Sequence, residues 1–351
     1  MAAVRRLAFA AVVPAILLGA LAVLWIAYGE RFLAPAGGRE LNRLAWESTF
    51  VERGLDVPPA GPRDGYWGER LLPKARDALT GWREDAQRIT GFLDVDDRGC
   101  QSLAGSGDGR RHVLIVGGSV AFGAYASSAP TTYFHRLGRR LEEAGAPADV
   151  TVCAAGAWKS RQELAALEAR AAELRPDLIV LFDGLNDLTS GATSDALFGD
   201  RVPVPDGRTW SVHFHAHDYE RRVADYLDNV RQAVRVSAGG SAGLLLVLQP
   251  SLAERREPSF LERRLLAASL EPHESKRALT DGYEAMRAGL RELAAASPGV
   301  EFLDLSRVFD TEEPTTFTDL WHFTDPGHEI VAAAMAPRIA ELLRRERDPL
   351  R

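Results

Sequence analysis

The chain has 351 residues, 46% of them hydrophobic and 26% charged, with a formal net charge of -7. That length and apolar content support one large α/β domain with an appendage or two modest domains, and they exclude a disordered protein. An acidic chain with no basic stretch able to track phosphates is not a nucleic-acid binder, and two cysteines outside any C-x-x-C or Cys-His pattern carry no metal or redox motif.

Taken in order, Met1 to Arg6 is a short basic tail, and Leu7 to Tyr28 is an uncharged run of 22 residues, long enough to cross a bilayer as a helix. A cleaved signal has a shorter apolar region, so residues 1–29 read as a single-pass anchor, with Ala34-Pro35-Ala36 as the alternative cleavage site. Arg5 and Arg6 before the span are nearly balanced by Arg31, Arg39 and Arg43 after it, and the expected orientation puts the following domain outside the cytoplasm. Residues 30–110 are mixed in character. Pro58-Pro59, Gly61-Pro62 and a loop-like patch at Ala104 to Gly109 make them a linker or collar, with Tyr66-Trp67 and Gly91-Phe92-Leu93 as clusters able to pack on the main domain.

From residue 111 to 351 apolar runs alternate with helical stripes, as in β-α-β units. Strands are expected at 112–117, 149–154, 177–183, 243–248 and 300–305, with helical stripes through Leu164–Leu174, Tyr219–Val234 and Leu279–Leu293. A last helix over Pro326 to Arg345 opens with Pro and carries Pro337 inside, which should kink it. Five parallel strands with helices on both faces make a three-layer α/β/α domain.

Four blocks fall at or after strand ends: Gly117-Gly118-Ser119, Cys153-Ala154-Ala155-Gly156-Ala157, Gly184-Leu185-Asn186-Asp187 and Asp319-Leu320-Trp321-His322. Ligands bind at that rim of an open α/β sheet. A serine hydroxyl needs a base to take its proton, and the base needs an acid to fix its tautomer. Ser119, His322 and Asp319 supply the three roles. An oxyanion needs donors, available as the Ser119 N–H, a backbone N–H of the Gly156 turn and the Asn186 amide. Asn186-Asp187 also suits an Asx turn or helix cap, and Asp319 and His322 a turn and a packing pair. Asp325-x-x-His328 repeats the Asp-His spacing and competes as the base.

These blocks resemble the SGNH hydrolases, also called GDSL-type esterases and lipases, over residues 111 to about 343. The resemblance implies a flavodoxin-like sheet of order 2-1-3-4-5 and serine-dependent hydrolysis or transfer of acyl groups. By position, Ser119 resembles the nucleophile, Asn186 the side-chain oxyanion donor, and Asp319 and His322 the D-x-x-H acid and base, which decides for His322 over His328. Gly118 stands where the family usually has Asp. In the second block the register leaves Gly156 or Ala157 as the donor, and Gly156 is nominated.

His213, His215 and His217 would share one face of a strand, but no carboxylate or cysteine is placed to complete a metal shell; the segment reads as a loop bordering the site, with no metal and no cofactor expected. The charged stretch Glu254 to Arg264 reads as an inserted helix over the site, with a plain solvated face as the alternative. Whether Cys100 and Cys153 pair is left to geometry and compartment. The leading function is an anchored, outward-facing esterase or deacylase acting on O-acyl groups of a small molecule or polysaccharide. An O-acyltransferase acting on an envelope or exported polysaccharide would use the same triad, and a non-catalytic envelope scaffold would be expected to have lost Ser119 or His322.

Overall fold

A computed structural model describes residues 40–59, 74–106, 109–189, 219–240, 242–269 and 276–345. Helix α1 (residues 40–51) comes first. Two short hairpins follow, β1 (Lys74–Asp77) with β2 (Gly81–Glu84), and β3 (Gln87–Ile89) with β4 (Leu93–Val95), then strand β5 (Cys100–Leu103). The α/β body runs β6 (Arg111–Gly117), α2 (Ser119–Phe122), α3 (Tyr133–Glu143), β7 (Ala148–Ala154), α4 (Ser160–Leu174), β8 (Leu178–Asp183) and α5 (Leu185–Leu188). It continues with α6 (Tyr219–Gly240), β9 (Gly243–Leu248), α7 (Phe260–Ser269), α8 (Lys276–Ala296), β10 (Val300–Asp304) and α9 (Asp325–Arg345).

The central sheet has the order β10-β9-β8-β6-β7-β5. Its first five strands are parallel and follow the expected 2-1-3-4-5 order, each within a residue or so of its expected span. β6, β8 and β9 read as continuous apolar runs because the sheet is covered on both faces: α3 packs with α9 on one side, and α4, α6 and α8 pack in sequence on the other. Strand order reverses at β6, which pairs with both β7 and β8, and the crevice beyond the carboxyl ends of β6 and β8 is where such sheets bind ligands.

Two expectations need correction. The sheet is six-stranded and mixed, because β5 adds antiparallel to the β7 edge with Cys100 opposite Cys153, and the two cysteines form a disulfide. Residues 40–106, where described, are also more than a collar: Ala45, Trp82, Leu93, Val95 and Cys100 share one apolar core with the sheet, and a boundary at residue 111 cuts through it. Among the described residues no helix is long and apolar enough to cross a membrane. The run Leu7 to Tyr28, Tyr66-Trp67 and the three histidines 213, 215 and 217 lie outside the described residues.

Candidate active site

The first three blocks sit where a buried strand ends, and the fourth lies in the loop between β10 and α9. β6 finishes at Gly117, where a Cβ would stand 2.2 Å from the Phe182 carbonyl oxygen, so only glycine lets β6 and β8 close up there. The chain then enters α2 with Ser119 as its first residue and Gly118 before it. After β8, Gly184 takes φ 129°, a region that disfavours side chains, and turns the chain into α5, which carries Asn186.

The fourth block folds on itself. A bridge between Phe317 and Phe323, with the His322 carbonyl accepting from the Thr318 N–H, closes a tight loop. Inside it Asp319 Oδ1 accepts the N–H groups of Trp321 (2.8 Å) and His322 (2.7 Å). Asp319 Oδ2 lies 2.7 Å from His322 Nδ1, and His322 Nε2 lies 2.8 Å from Ser119 Oγ. The carboxylate makes Nδ1 the protonated nitrogen, which leaves Nε2 to accept from the serine hydroxyl. Tyr125, itself at φ 65°, stacks on the His322 ring at 4.7 Å between centroids and packs with Trp46 and Phe50 of α1.

The nominated amide of the second block, Gly156, has a protein partner. The Gly156 N–H donates to Glu84 Oε1 at 2.9 Å, so that amide already has a carboxylate acceptor. The next residue, Ala157, stands at φ 63°, a left-handed conformation that costs a non-glycine residue roughly 1 kcal/mol. Among the described residues its N–H has no protein acceptor. Asn186 Nδ2 spends one hydrogen on the Trp158 carbonyl (2.8 Å) and keeps a second. A Cβ on Gly118 would lie 2.6 Å from Asn186 Nδ2 and 3.3 Å from the Trp158 carbonyl, so the first, second and third blocks meet beside Ser119.

A family model for the GDSL-like lipase/acylhydrolase family matches residues 115–330, which contain all four blocks. The chain belongs to that family. This GDSL-like acylhydrolase is therefore a hydrolase acting on esters. It is similar in fold to an acetyl xylan esterase, AlAXEase (16% identity, 65% of this chain and 99% of that one, TM-score 0.44), and to a lipase/acylhydrolase from Enterococcus faecalis (17%, 66% and 96%, 0.44). A variant of an acetylxylan esterase from Geobacillus stearothermophilus aligns at 16% identity over 65% of this chain and 94% of that one, with a TM-score of 0.44. Comparison with curated proteins gives no match.

The remaining candidates in the acylhydrolase have structural partners. His328 is fully buried with Nε2 3.0 Å from the Ala124 carbonyl, and Asp325 accepts the N–H and hydroxyl of Ser127. Asp187 accepts the N–H (3.0 Å) and hydroxyl (2.6 Å) of Ser160, tying the start of α4 to α5, and burial pushes its carboxyl up to about 6. Beneath it Glu163 is held well above the usual carboxylate range, first by burial and then by the charge and hydrogen bond of Asp183, itself raised by burial and bonded to the Tyr226 hydroxyl (2.8 Å). The stretch Glu254 to Arg264, expected as an inserted helix or a solvated face, is helical only in its last part and partly buried. Helix α7 begins only at Phe260, and Arg255 and Glu262 form a buried ion pair at 2.5 Å. Glu262 Oε1 also accepts the N–H groups of Thr316 and Phe317, which fastens the loop leading to Asp319.

Among the described residues no group of His, Cys, Asp or Glu is arranged to hold a metal. Sequence reading left Ala157 as the alternative to Gly156 and missed Tyr125, Trp82 and Glu84. Only Ala157 had a signal, the one-residue ambiguity of the second block; the others lie in segments with no recognisable pattern.

Proposed function

We propose that this acylhydrolase cleaves carboxylic O-acyl esters with Ser119 as nucleophile, His322 as general base and acid, Asp319 as its orienting carboxylate, and the Ser119 N–H, Ala157 N–H and Asn186 amide as oxyanion donors. The observation that carries this reading is the unbroken relay of 2.8 Å from Ser119 Oγ to His322 Nε2 and 2.7 Å from His322 Nδ1 to Asp319 Oδ2. In the forward step Ser119 Oγ attacks the ester carbonyl while its proton passes to Nε2, and the charge that develops on the carbonyl oxygen is met by the three donors. The imidazolium, steadied by Asp319, then returns the proton to the departing alkoxide. The acyl group stays on Ser119 until water, deprotonated by the same nitrogen, releases the carboxylic acid.

The substrate is proposed to be an acylated small molecule or polysaccharide met outside the cytoplasm, with Leu7 to Tyr28 as the anchor. A Cys100–Cys153 disulfide is in keeping with an oxidising compartment. The deciding experiment is hydrolysis of short- and medium-chain nitrophenyl esters by the full chain beside Ser119→Ala and His322→Ala, with labelling by a serine-reactive phosphonate. Turnover and labelling are expected to vanish in both variants; wild-type turnover in folded Ser119→Ala protein refutes the assignment.

A further inference from the structure

Strand β2 lies in a segment that no part of the proposed mechanism uses, yet its side chains grip the turn of the second block. Trp82 Nε1 donates to the Gly156 carbonyl at 3.0 Å, and Glu84 Oε1 accepts the Gly156 N–H at 2.9 Å. The Trp82 carbonyl accepts from Trp158 Nε1 at 2.8 Å, and the Trp158 carbonyl in turn accepts from Asn186 Nδ2 at 2.8 Å. Trp82, Glu84 and Trp158 are all buried.

The consequence lies in peptide geometry. The Gly156 carbonyl and the Ala157 N–H belong to one peptide unit, and no peptide bond described is cis, so the two groups point in opposite directions. Holding the carbonyl oxygen on the Trp82 indole therefore aims the Ala157 N–H away from β2. The preceding peptide is held the same way through Glu84. With both planes clamped, the backbone of Gly156 is fixed, and the Trp158 N–H, donating to the Ala155 carbonyl at 3.2 Å, holds the plane that follows Ala157, which stands at φ 63°. A hydrogen bond to the carbonyl also polarises the amide and strengthens its N–H as a donor.

We infer that Trp82 and Glu84 are positioning residues of the oxyanion hole: β2 fixes the peptide planes on either side of Gly156, so that the Ala157 N–H is aimed before substrate arrives, and the same chain of bonds continues to Asn186. This rests on the reading of Ala157 as an oxyanion donor. The groups act only through the turn and touch no reacting atom. Preorganisation of this kind costs nothing during reaction, and its loss is felt in the transition state more than in substrate binding.

The test compares Trp82→Phe, Glu84→Gln and Glu84→Met with wild type and Asn186→Ala in the full chain, after thermal melts establish folding. Trp82→Phe keeps an aromatic ring and removes only the indole donor. It is expected to lower kcat roughly 10- to 100-fold with KM within about twofold, and to weaken a boronic acid transition-state analogue by the same factor. Glu84→Gln retains an acceptor for the Gly156 N–H and is expected to stay within about threefold of wild type, while Glu84→Met falls like Trp82→Phe. Wild-type kcat in folded Trp82→Phe beside an impaired Asn186→Ala overturns the positioning role and leaves the oxyanion hole standing. An unimpaired Asn186→Ala removes the oxyanion reading and this inference with it. If Trp82→Phe does not fold, the Glu84 pair decides: equal, wild-type rates in Gln and Met overturn the inference.

Discussion

Gly118 stands where relatives of this acylhydrolase usually carry an acidic residue, and the packing around it makes a specific demand. Its φ of -84° and ψ of -152° are extended backbone, outside the left-handed region that favours glycine. The added Cβ would, however, lie 2.6 Å from Asn186 Nδ2, against an ordinary contact of 3.4 Å or more. The Asn186 amide must withdraw by about 0.8 Å, which also disturbs its 2.8 Å bond to the Trp158 carbonyl. Losing one oxyanion donor outright costs roughly a hundred- to a thousandfold in kcat, and a misplacement of about 1 Å costs about a hundredfold. Gly118→Ala should therefore lower kcat about 10- to 100-fold, with KM and melting temperature little changed. Gly118→Asp, although it restores the residue common in the family, should lower the rate as well. Steady-state hydrolysis of a nitrophenyl ester, read beside a thermal melt, tests both. A kcat for Gly118→Ala within twofold of wild type would mean that Asn186 yields without loss and that the amide is not an oxyanion donor.

Three further expectations follow from the same geometry. Asp319→Asn keeps the shape of the loop but no longer selects the Nδ1–H tautomer of His322, and kcat should fall by about 10⁴; a loss under tenfold would remove Asp319 from the relay. Glu163 titrates higher in the folded chain than in the unfolded one, so its contribution to stability is complete below about pH 4.5, its ordinary value, and is lost as pH rises toward its folded value. Glu163→Gln can keep the hydrogen bond to Asp183 without the proton, and urea melts from pH 4 to 8 should show its stability relative to wild type growing as pH rises; a difference flat with pH rejects the assignment. The Cys100–Cys153 disulfide closes a loop of sequence separation 53, worth about 4 kcal/mol by loop entropy. The double serine variant should lose stability approaching that figure, seen as a lower urea midpoint, and an unchanged midpoint would count against the cross-link.

The strands and the four blocks were legible because their signals are local. Strands buried on both faces must be apolar along their whole length, which marked β6, β8 and β9 almost to the residue. Asp319 and His322 are three residues apart in one turn, a spacing that Asp325 and His328 share, so the pair was legible as a candidate and the family resemblance chose between the two. The edge of the sheet had no such mark: β5 is four residues, Cys-Gln-Ser-Leu, too short and too polar to show a period.

Sequence by itself thus marked the five parallel strands and the Ser, Asp and His that the structure brings within hydrogen-bond distance, and the family resemblance supplied the order of those strands. Tertiary structure decided which amide of the second block is bonded to a carboxylate. Gly156 and Ala157 are adjacent and chemically alike along the chain, and what separates them is a carboxylate 72 residues away that takes one N–H and an indole that turns the next. The pairing of Cys100 with Cys153 and the burial of Arg255 against Glu262 were decided in the same way. Register and burial are properties of two segments meeting, and neither segment carries them alone.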